Sequence, residues 1–235
     1  MTPAVPLPRS LLTLPAEVGD LMDHTPESAY AHLRDTHPAW FLTPPGDDAI
    51  SIMRWPMTEG QVIYRDQWWI LLQDPVVFPD GQHGRYLRMV SPHEEPGVAV
   101  LPLLGGDVVL IEHFRHATRA WHWEIPRGGA TAGLAHADNA AKEMREEIGT
   151  TATGFIDLGT VHPDTGILAD AVQLYAARID TVGELERAEG IRRARTVPFA
   201  EAEKMALTGE ITDAFTITAL FRARQAGLCE EGLVA

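Results

Sequence analysis

The sequence predicts an α/β fold, a mixed β-sheet packed between helices as an α/β/α sandwich, with an N-terminal extension in front of it. Three observations lead there. Apolar stretches of strand length recur between Trp68 and Ile179, separated by turns rich in Gly, Pro and Asp. Helical patterns interrupt these strands once and then follow them. Residues 1–58, by contrast, are rich in proline and lack the same alternation.

The extension contains one clear element, a helix over Pro26–Arg34, with Thr25 as N-cap and Pro26 at the first helical position. The pattern changes after Trp55-Pro56, so the boundary falls at residue 58 and a main domain occupies 59–235. Strands are expected at Trp68–Leu72, Tyr86–Val90, Val98–Leu104, Val108–His113 and Trp121–Ile125, the last broken by Pro126-Arg127-Gly128-Gly129. A helix follows, capped by Asp138 and stopped by Gly149. Two further strands read as Gly154–His162 and Ala171–Ile179, and two more helices as Phe199–Leu207 and Asp213–Ala226. Thr181–Arg195 reads as a charged, exposed linker.

Bulk composition narrows the function classes. A formal net charge of −14 argues against binding nucleic-acid backbone, which needs a basic stripe. A small anionic substrate stays open, because a metal ion or a few arginines can reverse the field within one cleft. No apolar run is long enough to cross a bilayer, so no membrane partner is expected. The single cysteine, Cys229, excludes an internal disulfide framework and, with no secretory pattern at the amino terminus, leads to a cytoplasmic expectation.

The helix after the glycine break carries the chemistry. With residues about 100° apart, Ala140, Ala141, Met144 and Ile148 share one arc and should be buried. Glu143, Glu146 and Glu147 fall in another arc, because positions i, i+3 and i+4 are neighbours on a helix. Three carboxylates there repel one another, and Glu147 also meets the negative end of the helix dipole. Taken alone, the arc is either a solvated acidic face, with Lys142 and Arg145 as ion-pair partners, or a set of hard oxygen ligands for Mg2+ or Mn2+.

The surrounding motif bears on that choice. Gly128, a spacer, and then Lys142-Glu143-Met144-Arg145-Glu146-Glu147-Ile148-Gly149 resembles the Nudix box with the family's spacing kept. Three positions depart from it: Leu134 stands where the family has a glutamate, Lys142 where it has arginine, and Thr150 where it has an apolar residue. The likeness extends from Tyr64 to about Leu228 and is nearest the ADP-ribose pyrophosphatase branch. It is carried by Glu124-Ile125-Pro126-Arg127-Gly128, by His113-Phe114-Arg115-His116, by Pro163-Asp164-Thr165-Gly166 with Asp170, and by Gly209–Asp213.

The resemblance implies a metal-dependent hydrolase that cleaves the pyrophosphate of a nucleoside diphosphate linked to another moiety, ADP-ribose or another NDP-sugar. Glu143, Glu146 and Glu147 would bind Mg2+ or Mn2+, joined by the Gly128 carbonyl, and Glu146 and Glu147 would also take part in catalysis. Asp170 is the implied general base, with Asp164 second. Arg115 would clamp a phosphate, Arg127 replaces the branch's alanine and would add a contact, Glu124 would line the cleft, and Tyr64, Trp68 or Trp69 would stack on the base, with Trp69 preferred. Pairing through N-terminal strands implies a homodimer. A second reading keeps the fold but makes it a nucleotide-binding regulatory module without useful turnover, on the strength of Leu134 and Lys142. His113, His116 and His122 have no zinc-site spacing and read as strand-end or surface residues, and Arg119 reads as a partner of surface carboxylates.

Overall fold

A threonine cap and a proline start the helix at Pro26, as their chemistry requires, and a sheet closes over it. The computed structural model describes residues 16–46, 48–53, 60–93, 95–131 and 133–229. The chain divides into two compact units, residues 1–94 with 164–170, and residues 95–163 with 171–235. The expected division at residue 58, with the Trp55-Pro56 signal, lies outside the described residues. The strands that follow it at 61–90 cluster with the N-terminal helices and not with the second unit.

The first unit holds α1 (Ala16–Leu21), α2 (Pro26–Thr36), a 3-10 turn (Pro38–Phe41) and the strands β1 (Ser51–Ile52), β2 (Gln61–Arg65), β3 (Ile70–Val77) and β4 (His83–Val90). Thr25 caps α2 by accepting from the Ser28 N–H at 3.2 Å, and the helix runs two residues beyond the expected Arg34. All pairings in this sheet are antiparallel: β4 lies along one edge of β3, and β1 and β2 pair with opposite ends of β3. Leu21, Ala29, Tyr30 and Leu33 pack against Val62, Ile70, Leu72 and Val90 to form its core. Within that core the Tyr30 hydroxyl donates to Asp74 Oδ1 at 2.5 Å, and Arg88 Nε donates to Asp74 Oδ2 at 2.5 Å. Gly60 is required here, because a Cβ would land on the Tyr30 ring. The segment Asp164–Asp170 joins this unit through β4, with Met89 N–H donating to the Ile167 carbonyl and Ala169 N–H to the Met89 carbonyl, each at 2.8 Å.

The second unit is built on β5 (Gly97–Leu104), β6 (Asp107–Arg115), β7 (Ala120–Glu124), β8 (Arg127–Gly128), β9 (Ala152–Val161), β10 (Val172–Ile179) and β11 (Ile191–Val197). The sheet order is β11-β6-β5-β10-β9, antiparallel except for the parallel pair β5–β10. That makes the sheet mixed, as expected. Alternation along β5 splits the core: Val98 and Val100 face a layer with α3 (His136–Ile148), while Ala99, Leu101 and Leu103 face one with α4 (Phe199–Thr208) and α5 (Ala214–Gln225). The α/β/α sandwich follows directly. The segment 120–128 pairs first with β6 and then, past Ile125-Pro126, with β5, and this delivers Gly128 to Val98.

Three local expectations are corrected. The N-cap of α3 is Ala135, which offers no side-chain bond, and Asp138 lies inside the first turn, where its charge still suits the helix dipole. Ala141 is only half-buried, whereas Glu143 and Glu147 are buried with Met144 and Ile148. Thr181–Arg195 is not simply an exposed linker. Gly183 N–H donates to the Ile148 carbonyl at 2.9 Å and Glu186 N–H to the Glu147 carbonyl at 3.1 Å, so this stretch satisfies the C-terminal carbonyls of α3 before continuing as β11.

Gly149 ends α3 with φ +61°, and a Cβ there would lie 2.6 Å from the Glu184 amide nitrogen. Gly149→Ala therefore combines a left-handed alanine with a backbone clash. It should cost at least about 2 kcal/mol of stability, read as a lower denaturation midpoint.

Candidate active site

The geometry at α3 explains why its acidic arc is not solvated. β8 lies against it, so Glu143 is 7% and Glu147 1% exposed. The Arg127 backbone N–H donates to Glu147 Oε2 at 3.0 Å. A Cβ at Gly128 would occupy the position of the Glu143 carboxyl group, which makes glycine at that position a condition of the site. Asn139 Nδ2 donates to the Gly129 carbonyl at 2.8 Å and ties the loop to the helix, while its buried Oδ1 has no partner among the described residues.

Glu146 behaves differently. It is exposed, and Lys142 Nζ donates to its Oε2 at 2.6 Å and to Glu143 Oε1 at 3.1 Å. Burial raises the Glu143 carboxyl above its ordinary value, with Lys142 offsetting part of the effect. Burial pushes Glu147 up to about 8; the Arg127 N–H opposes this and the Glu143 charge adds to it. Two buried carboxylates, the charge of Glu143 adding to the cost of ionising Glu147, in a cradle that glycine keeps open, fit a divalent cation. Among the described residues no three His, Cys, Asp or Glu side chains already converge on one point.

A second group lies beside them. Glu124 is 0% exposed. It accepts from Arg115 Nε at 3.1 Å and from Arg115 Nη2, and it has Arg127 Nη2 at 3.5 Å and His113 Nδ1 at 3.2 Å. Burial works against its charge, but His113, Arg115 and Arg127 outweigh it and hold the carboxyl below its usual range. Glu124 thus meets its surroundings through two arginines and a histidine. Arg127 also lies 3.5 Å from Asp213, the N-cap of α5, and 4.8 Å over the Phe215 ring, so its side chain is braced from two directions.

The other candidate residues belong to the first unit. Trp69 is half-buried in a turn, its N–H donating to Asp66 Oδ1 at 2.7 Å. Asp164 organises its own loop, accepting from Gly166 N–H at 2.8 Å through Oδ1, and Asp170 closes that segment half-buried. His113, expected as a strand-end or surface residue, lies near the end of β6, is 5% exposed and sets Nε2 2.9 Å from the Glu189 carbonyl. Sequence reasoning passed over Glu112, buried under Arg192 and Arg193, which hold its carboxyl at about 2. A charged residue inside an apolar strand was the signal available. Arg119 pairs with the His116 ring at 2.8 Å and stacks over Phe114, not with a carboxylate.

With this arrangement in hand, comparison with known proteins places the chain. The model of the NUDIX domain matches residues 93–219, more than half of the sequence. The chain belongs to the Nudix family. It is 30% identical over 151 residues to the ADP-ribose pyrophosphatase of Mycobacterium tuberculosis (strain ATCC 25618 / H37Rv), a match spanning 63% of this chain and 72% of that protein. Among solved structures, an ADP compounds hydrolase superposes with a TM-score of 0.65 at 17% identity, covering 78% of this chain and 96% of its own. At that identity the second likeness speaks for the Nudix fold alone.

Gly128→Ala separates this site from the fold that carries it. The Glu143 side chain can swing away from the added methyl, so stability should change by no more than about 1–2 kcal/mol. Hydrolase activity should drop by about 10- to 100-fold as the carboxylate leaves its position. Parallel denaturation and rate measurements check the split.

Proposed function

We propose that this Nudix pyrophosphohydrolase requires Mg2+ or Mn2+ and cleaves the pyrophosphate of ADP-ribose or another NDP-sugar, giving a nucleoside monophosphate and a sugar phosphate. The observation that carries the reading is the pair of buried carboxylates, Glu143 and Glu147, against the Arg127-Gly128 strand. Glu143 and Glu147 would hold the cation, with Glu146 joining them on release from Lys142 and the Gly128 carbonyl as a further oxygen. When bound, such an ion neutralises phosphoryl charge and lowers the pKa of coordinated water. Arg115 and Arg127 would receive the diphosphate, their guanidinium planes set by Glu124. Asp170 is our candidate for the base that takes the proton as water attacks phosphorus and the bridging P–O bond breaks. Trp69 is our candidate for the contact to the base of the nucleotide.

Lys142, drawn onto two of the three glutamates, is the feature that favours the other reading, a nucleotide-binding module without useful turnover. A panel of ADP-ribose, other NDP-sugars, dinucleotides, nucleoside triphosphates and coenzyme A derivatives, with Mg2+ or Mn2+, decides between them. AMP and a sugar phosphate released from ADP-ribose is the expected result. Tight binding with every panel member surviving intact would transfer support to the regulatory module. We also propose a homodimer, checked by light scattering, and a cytoplasmic setting, in line with one unbridged cysteine and no helix long and apolar enough to cross a membrane among the described residues.

A further inference from the structure

The Gly128 peptide is wedged between two neighbours. A Cβ at Gly128 would sit in the Glu143 carboxyl group, and a Cβ at Gly97 would lie 2.9 Å from the Gly128 carbonyl oxygen. Pairing with Val98 fixes Gly128 itself. The chain then leaves β8 and continues through residues 129–133, which carry no charged side chain. Asn139 ties the start of this stretch to α3, its Nδ2 donating to the Gly129 carbonyl at 2.8 Å. A carbonyl can only accept, so this bond fixes which end of the amide is the nitrogen. Oδ1 is left buried and without a partner among the described residues, in a side chain only 2% exposed. Asn139 also precedes Glu143 by four residues and Glu147 by eight, so it belongs to the arc of α3 that carries the glutamates.

A plain tie between loop and helix needs only Nδ2, and a buried acceptor left unpaired costs stability. A hydrated Mg2+ or Mn2+ brings what Oδ1 lacks, because such ions keep several waters and each water is a donor. We propose that Asn139 is a positioning residue of the cation site: Nδ2 holds the peptide that follows Gly128, and Oδ1 accepts from a water of the cation's hydration shell. This rests on the metal-dependent reading above and deepens it. The residue is neutral and adds no ligand; it orients what the carboxylates hold.

The test measures Mn2+ binding to the full chain by the electron paramagnetic resonance signal of free Mn2+, alongside the denaturation midpoint without added metal. Asn139→Leu keeps the shape of the side chain and deletes both polar ends, and Asn139→Ala serves if leucine does not fold. Gly129 is exposed, so water can replace the lost donor at its carbonyl. Mn2+ affinity should fall about tenfold while the midpoint stays near parental. Asp138→Asn, exposed and outside the arc, should bind Mn2+ like the parent. A lower midpoint with parental affinity would overturn the proposal and make Asn139 a structural tie. Parental affinity in both Asn139 variants, with weakened binding in Glu143→Gln, would overturn it and leave the metal site standing. Parental affinity in Glu143→Gln would instead remove the metal reading on which it rests.

Discussion

Glu147→Gln is expected to lower hydrolase turnover by about 100-fold or more while making the protein without added metal more stable at pH 8. The two effects have one cause. Glu147 is 1% exposed, and burial raises its carboxyl to about 8 from an unfolded value near 4.5. A group raised in the folded state contributes stability that is fully present below its unfolded value and is lost as pH rises through its folded value. The metal-free protein should therefore weaken between about pH 4.5 and 8 by up to about 4 kcal/mol, the energy equivalent of such a shift. Glutamine removes that loss and keeps an oxygen for the Arg127 N–H. A divalent cation stabilises the ionised form and should restore the parent at pH 8 with release of a proton, but should do little for the variant. Denaturation from pH 5 to 8, with chelator and with Mn2+, measures all three. Identical pH profiles for parent and variant would show that Glu147 is not the buried acid described.

Removal of residues 1–56 is expected to unfold the first unit, and so to do more than uncover a surface. Leu21, Ala29, Tyr30 and Leu33 would go, leaving Val62, Ile70, Leu72 and Val90 facing water at a cost of roughly 1.5 kcal/mol or more each. Asp74, 2% exposed, would lose the Tyr30 phenol and keep only Arg88. The sum rivals the whole stability of a small domain. Hydrogen exchange should show β2, β3 and β4 losing protection together. Tyr30→Phe, which keeps the packing and deletes one donor, should cost about 1–3 kcal/mol. Full protection of β2–β4 in the truncated chain would mean that α2 is an appendage.

Much of the fold was legible because period and punctuation agreed. The strands from Val98 to Ile179 and the helices opened by Thr25 and Asp213 lie within a few residues of where alternation and caps put them. Failures occurred where one rule masked another. The strand expected to stop at Leu72 runs on through Pro75 to Val77, because Met53 opposite donates its own N–H to the Pro75 carbonyl and asks for no donor in return. β11, with three arginines, reads as a linker because its polar face is exposed at a sheet edge. At the site, angular positions on α3 separated the glutamates from the apolar arc correctly. A helical projection carries no information about β8, which covers the acidic arc and turns a solvated face into a buried one.

The attachment of Asp164–Asp170 to β4 also governs the order in which this protein can assemble. The first unit is discontinuous in sequence, with residues 95–163 intervening before its last strand-like piece is made. On the ribosome, the Met89 edge must therefore wait, unpaired, through synthesis of the β5–β9 half of the other unit. Closing so long a loop is slow, and an edge left open meanwhile is a site for mispairing with a neighbouring nascent chain.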